Sequence, residues 1–231
     1  GFLMSNTTLH NENVSVTLKS LGAELTSIKD ASGTEYLWQG NPEFWSGQAP
    51  VLFPIVGCLR NGTATIGDNK TCSFGRHGLA RRLEFDLVSS SDTSITYSLK
   101  ANDKTKEQYP YDFELQMTYE LTEHGVKVSH TVINHDSVVM PYCVGGHPAF
   151  NCPVFENESF EDYIVEFEQP ENAAYAQLTE DGLINNADRV SVLENEAVIP
   201  VRHSLFYKDA LVFDALKSRK VALKHKKTGH G

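Results

Sequence analysis

Apolar and polar residues alternate with a period of two along much of this chain. From Phe113-Glu114-Leu115-Gln116-Met117 through Thr118-Tyr119-Glu120-Leu121 the odd positions are apolar and the even ones polar. That is the pattern of a strand with one face buried. Glu123-His124-Gly125 supplies a turn, and Val126 to Val132 alternates back, so the pair predicts a β-hairpin. His130 falls on the apolar side of the second strand and reads as a core histidine with its hydrogen bonds satisfied, rather than a ligand. Short strands are also predicted at Val14–Leu18, Leu25–Lys29, Thr63–Ile66, Phe85–Val88, Ile95–Leu99, Ile164–Phe167, Leu211–Phe213 and Val221–Lys224. Turn residues punctuate them at Asp30 to Gly33, Gly67-Asp68-Asn69 and Ser89 to Asp92. No segment predicts a helix longer than a turn or two. Many short punctuated strands imply an all-β fold, an antiparallel β-sandwich. No repeat, linker or low-complexity stretch divides the chain, so residues 1–231 read as a single domain. Gly1-Phe2-Leu3 ahead of Met4 reads as a cloning remnant.

Composition narrows the function classes. With 231 residues, 40% hydrophobic and 22% charged, the chain can bury a sizeable core as an ordinary globular protein. Apolar runs stay short of membrane-spanning length and the N-terminus has no basic start before an apolar stretch, so the expected location is cytoplasmic. A net charge of −10 argues against nucleic acid as a partner, because phosphate binding needs a cationic face. The basic stretch from Lys217 to Lys227 reads as a solvated strand and turn. Cys58, Cys72, Cys143 and Cys152 contain no Cys-x-x-Cys pair. A composite zinc site from Cys143, Cys152, His147 and His77 is the one metal arrangement left open, and the expectation is no metal. There is no P-loop and no Gly-x-Gly-x-x-Gly, so no cofactor is expected.

The candidate chemistry lies in three segments. Gly145-Gly146-His147-Pro148-Ala149-Phe150-Asn151-Cys152-Pro153 places an imidazole between two glycines and a proline. Glycines let a main chain approach a ligand or take positive φ, and proline makes the following turn rigid. A histidine so held has a fixed direction, which suits a proton donor or acceptor and equally a capping residue. Arg76-His77-Gly78-Leu79-Ala80-Arg81 joins a turn, a titratable ring and a guanidinium fork, a trio suited to hydroxyl-rich or anionic small ligands. Val51-Leu52-Phe53-Pro54-Ile55-Val56-Gly57 precedes it.

Taken in order, Leu-Phe-Pro-x-x-Gly, then Arg-His-Gly-x-Ala-Arg, then Gly-Gly-His-Pro-Ala-Phe, the set resembles the aldose 1-epimerase (galactose mutarotase-like) family, in its LacX-type branch, from near the N-terminus to the chain's end. The resemblance implies a large twisted β-sandwich (a supersandwich) with a sugar site on one sheet. It implies His147 as general acid at the sugar ring oxygen and His77 as a second imidazole contacting the sugar. Arg81 would bind hydroxyls, or a phosphate if the sugar carries one. Asp209 falls where relatives place a sugar-binding aspartate, and reads equally as a solvated turn residue. The family often follows the first glycine with arginine, whereas here Gly57 is followed by Cys58; Arg60, two positions on, would return to the same face of a strand. Of Trp38, Trp45 and Phe150, Phe150 beside the His-Pro turn is the best candidate to stack on a sugar. The chain stops at Gly231 within what reads as a turn. The expectation is therefore a C-terminally truncated product whose relatives carry a base, a glutamate in a Glu-Pro-Trp-like context, beyond that point.

The function expected is mutarotation of a free hexose such as galactose or glucose, by a monomer or homodimer binding only a small sugar. A non-catalytic carbohydrate-binding or regulatory module on the same fold is the first alternative, and a hexose-6-phosphate mutarotase using Arg81, Arg82 and Arg60 the second. Glycoside hydrolysis needs paired carboxylates, and Glu156, Glu158, Glu161 and Asp162 read instead as a solvated acidic turn.

Overall fold

The computed structural model describes residues 5–231, so the segment Gly1-Phe2-Leu3 lies outside the described residues. The chain forms two compact units, the first ending at Phe150 and the second running Asn151–Gly231.

In the first unit β1 (Asn6–His10), β2 (Val14–Lys19) and β3 (Glu24–Asp30) form an antiparallel sheet in that order. The alternation in β2 does the sorting: Val14, Val16 and Leu18 are buried while Ser15, Thr17 and Lys19 are half-exposed. A two-residue strand, β4 (Val51–Leu52), and a hairpin, β5 (Thr63–Ile66) with β6 (Lys70–Ser73), follow. Next come β7 (Asp86–Ser90), β8 (Ser94–Lys100), the helix α1 (Asp103–Gln108), β9 (Phe113–Leu121) and β10 (Val126–Asn134). The four strands make an antiparallel sheet ordered β10-β9-β8-β7. Helix α1 has under two turns, started by a capping box between Asn102 and Thr105. The predicted hairpin is present: Leu121 faces Val126, His130 faces Met117, and the Thr122 N–H donates to the Gly125 carbonyl at 2.9 Å. A two-residue strand, β11 (Gly145–Gly146), pairs with β4.

One hydrophobic core fills the space between these sheets. Leu9, Val14, Val16 and Leu18 share it with Ile95, Tyr97, Leu99, Phe113, Leu115, Met117 and Tyr119. Each fully buried large side chain contributes roughly 1.5–3 kcal/mol. The Tyr119 hydroxyl crosses this core to donate to the Ala23 carbonyl at 2.5 Å, which satisfies a polar atom that burial would otherwise penalise. The all-β antiparallel sandwich expected from the alternation is what forms.

The second unit is one antiparallel sheet, β12 (Tyr163–Leu178), β13 (Ile184–Pro200) and β14 (Val221–His225), ordered β13-β12-β14. Its small core centres on Phe167, Leu193 and Ile199. Two differences from the sequence reading stand out. The 17-residue β13 shows no alternation because most of its positions face solvent, and four register shifts interrupt its pairing with β12. Leu211–Phe213 is not a strand. Only Val212 bridges, to Ala176, and Asp209 just upstream takes φ of 73° while its Oδ1 accepts the Ala210 N–H. All three residues of the segment are half-buried, so no face is selected.

Glu114 is a buried carboxylate in β9 with three donors: Gln116 Nε2 at 2.9 Å, His135 Nε2 at 3.0 Å and Ser98 Oγ at 2.8 Å. These bonds, led by that from Gln116, hold its pKa down to about 2 against the opposing effect of burial. A carboxyl group depressed in the folded state stabilises the fold above its unfolded value and loses that contribution as pH falls through the folded one. Thermal unfolding followed from pH 6 to pH 2 should therefore show wild-type stability falling between about pH 4.5 and 2. Glu114→Gln should lie about 2 kcal/mol lower at pH 7 and fall less steeply in that window.

Candidate active site

His77 is held in an unusual backbone conformation by its neighbours. Its φ is 67°, a left-handed value that costs a non-glycine residue about 1 kcal/mol or more. Three hydrogen bonds fix it there. The His77 N–H donates to the Gly57 carbonyl at 2.7 Å, the Gly57 N–H donates to His77 Nδ1 at 2.9 Å, and the His77 carbonyl accepts from Phe53 N–H at 3.3 Å. Nδ1 is thus an acceptor, and in the neutral ring the proton sits on Nε2. Gly78 follows with φ of 81°, and a Cβ there would collide with the Phe53 carbonyl. That same carbonyl accepts from Leu79 N–H at 2.9 Å and Ala80 N–H at 3.3 Å, which starts the 3-10 turn Ala80–Arg82. The Leu-Phe-Pro-x-x-Gly and Arg-His-Gly segments therefore act as one clamp.

His147 lies on the other arm. Residues 143–149 run antiparallel to 48–54, with Cys143 N–H on Pro54, Gly145 opposite Leu52, His147 N–H on Pro50 at 3.2 Å and Ala149 N–H on Gln48 at 2.8 Å. Pro148 restricts the His147 backbone to extended conformations. Neither Gly145 nor Gly146 takes a positive φ. A Cβ on Gly145 would come to 3.3 Å from Val56 Cγ2, while one on Gly146 would find only Pro148 Cδ, at 3.9 Å. Gly146 thus borders open space beside the exposed His147 ring. The His77 and His147 ring centroids stand 5.5 Å apart at 58°, and the Trp45 ring lies 5.1 Å from His147.

The remaining sequence candidates fall out differently. Arg81 is half-buried in the 3-10 turn, and its Nε is enclosed with no hydrogen-bond partner among the described residues. Burial, then the charges of Arg82 and Arg76, pull its pKa below the ordinary value, while Glu24 opposes them. A guanidinium so placed stays charged, and its Nε–H remains a donor. Arg60 is exposed and begins the 3-10 turn Arg60–Gly62, in which Asn61 has positive φ, so the argument from strand offset does not hold. Phe150 is half-exposed and bridges Leu37 through its main chain; Trp45, ranked below it in the sequence, is the aromatic that meets an imidazole. His130 is only half-buried and is not a fully satisfied core residue, because its Nε2 is enclosed without a partner among the described residues. Burial lowers its pKa, against a hydrogen bond to the Gly145 main chain. In the second unit Asp209 is an exposed turn residue on the wall of a cavity of about 310 Å³, with Tyr175, Gln177, Tyr207 and Lys208. All four cysteines are free thiols, and among the described residues no three metal-ligating side chains gather to hold an ion. No helix among the described residues is long and apolar enough to cross a membrane.

Two clamped imidazoles borne on these three segments agree with a comparison against known families, in which the model described as aldose 1-epimerase matches residues 5–230. The chain belongs to the aldose 1-epimerase family. Among curated relatives of this family, the plasmid and chromosomal LacX proteins of Lactococcus lactis subsp. lactis are each 43% identical over 229 residues, covering 96% of this chain and 77% of theirs. A galactose mutarotase related enzyme from Lactobacillus acidophilus superposes with a TM-score of 0.89 at 33% identity, covering 96% of this chain and 74% of that one. A galactose mutarotase-like protein from Lactobacillus casei does so with a TM-score of 0.83 at 29% identity, covering 96% and 76%.

In this member of the aldose 1-epimerase family the two glycine positions separate fold from site. Gly78→Ala forces a side chain into both a left-handed φ and the Phe53 carbonyl, and should cost about 3 kcal/mol or more in chemical denaturation. Gly146→Ala should change stability by under about 0.5 kcal/mol, since its Cβ meets open space.

Proposed function

We propose that this protein is an aldose 1-epimerase in activity as well as family, interconverting the α and β anomers of a free hexose, with galactose and glucose the first substrates to try. The reading rests on one observation: an Nε2–H donor on His77 and an exposed imidazole on His147, centred 5.5 Å apart. Ring opening needs the anomeric hydroxyl to lose its proton while the ring oxygen gains one, so that the bond from C1 to the ring oxygen breaks and an open-chain aldehyde forms. In this reading His147 supplies the proton to the ring oxygen. His77 donates its Nε2–H to the same region of the sugar and steadies the charge developing there. Rotation about C1–C2 and closure on the other face, with the proton transfers reversed, complete the exchange. The base that takes the anomeric proton is assigned to no residue of this chain. Arg81 is proposed to hold hydroxyls, and Phe150 and Arg60 to contribute at the margin.

The family match over residues 5–230 runs through both compact units, which supports treating residues 1–231 as one mutarotase-like domain; a cytoplasmic monomer or homodimer is proposed with it. A second reading, a phosphorylated hexose as substrate, is favoured by the Arg81 Nε, which has no partner among the described residues, and by the nearby charges of Arg76 and Arg82.

Polarimetry on freshly dissolved α-galactose and α-glucose tests the proposal. Full-length protein should speed the approach to equilibrium, and His147→Ala should lower kcat by about 10²- to 10⁴-fold. A wild-type rate equal to buffer, with sugar binding retained in calorimetry, would favour a binding module instead. Strong preference for hexose 6-phosphate over free hexose in competition would move the substrate to the second reading.

A further inference from the structure

Histidines that move protons are commonly oriented by a carboxylate or carbonyl on the nitrogen that does not react. His147 has no such partner: among the described residues neither ring nitrogen makes a hydrogen bond or ion pair, although its main-chain N–H donates to Pro50. Its ring nevertheless sits in contact with two others, His77 at 5.5 Å and Trp45 at 5.1 Å. His77 is fixed by Gly57, so what fixes Trp45 decides how well the His147 ring is held.

The Trp45 main chain is tied by hydrogen bonds to the arm that bears His147. The Ala149 carbonyl, two residues beyond His147, accepts from Trp38 N–H at 2.8 Å. The Trp38 indole Nε1–H donates to the Trp45 carbonyl at 2.7 Å, and Trp45 N–H donates to Asn41 at 2.9 Å. The Trp45 indole then returns to the His147 ring. Gly47 makes this possible, because a Cβ there would collide with the indole's six-membered ring. Trp45 is 36% exposed, so its place is not dictated by burial in the core. A partly exposed indole that lies over Gly47 and against the His147 ring has a positional task.

The geometry points to Trp45 as the positioning residue for His147, taking through ring contact the orienting role that a carboxylate fills in other proton-transfer sites. The inference rests on the epimerase reading for its kinetic arm and stands apart from it in its structural arm. Trp45→Leu removes the aromatic brace, Trp45→Phe keeps a ring, and Gly47→Ala displaces the indole without touching it chemically. Val139→Ala, at an 81% exposed side chain outside these contacts, is the control.

In polarimetric kinetics Trp45→Leu should lower kcat by about 10- to 100-fold with KM little changed, as a loosened catalytic group does. Trp45→Phe should restore most of the rate, Gly47→Ala should resemble Trp45→Leu, and the Trp45→Leu/Gly47→Ala pair should cost no more than the worse single change. NMR should show the His147 imidazole protons shifted by the indole ring current in wild type and relaxed to ordinary positions in Trp45→Leu. A rise in KM alone, an unchanged kcat, or equal damage in Trp45→Phe and Trp45→Leu tracking a lower thermal midpoint overturns the inference. Should the wild-type protein prove inactive on every aldose, the epimerase reading fails, and NMR alone decides: identical His147 signals in wild type and Trp45→Leu overturn the positioning role.

Discussion

The hydrogen bond from the Gly57 N–H to His77 Nδ1 is the constraint on which this site turns. It joins a glycine at the end of one sequence segment to a histidine twenty residues later, and it settles which ring nitrogen carries the proton. The reciprocal bond from the His77 N–H to the Gly57 carbonyl and the acceptance of Phe53 N–H by the His77 carbonyl surround the residue on three sides. Together they offset the cost of a left-handed conformation. A strained residue persists only where its surroundings over-determine it, and here the surroundings also aim it.

The sandwich provides the stiffness that such aiming needs. The paired sheets β1-β2-β3 and β10-β9-β8-β7 share one core in which Phe53 is fully buried, and Phe53 is also the residue whose main chain grips His77, Leu79 and Ala80. Packing energy gained in the core is thereby tied to the placement of an imidazole at the surface. Glu24 extends the same scheme: it is buried, paired with Lys19 at 3.0 Å, and accepts the Gln48 and Ala49 N–H groups opposite the arm that bears His147. The two histidines are thus held by different means, His77 by main-chain hydrogen bonds and His147 by a short ladder, a proline and ring contacts.

Much of this was legible in the sequence, and what was not has physical reasons. The β9–β10 hairpin could be read because one face of each strand is buried against a single core, which forces alternation. β13 could not, because solvent on most of its length selects no pattern. The order of the three segments named the family and both imidazoles. Local spacing misplaced Arg60, because a strand offset applies only in a strand and Asn61 turns the chain at once. Phe150 outranked Trp45 in the sequence because it neighbours His147 along the chain. The fold instead brings in Trp45 from a hundred residues away, a contact created by the pairing of 48–54 with 143–149 and invisible to local reading. Gly47 was the one available clue, a residue without a side chain directly after Trp45-Ser46. The tautomer of His77 was equally out of reach, since it depends on a long-range bond to a main-chain amide.

The central claim is that this bond fixes His77 as a donor at Nε2. Long-range proton–nitrogen NMR of the neutral His77 ring tests it directly. The account predicts Nδ1 with the shift of an unprotonated, acceptor nitrogen and Nε2 with that of an N–H. A ring carrying its proton on Nδ1, or an even mixture of the two tautomers, would contradict it.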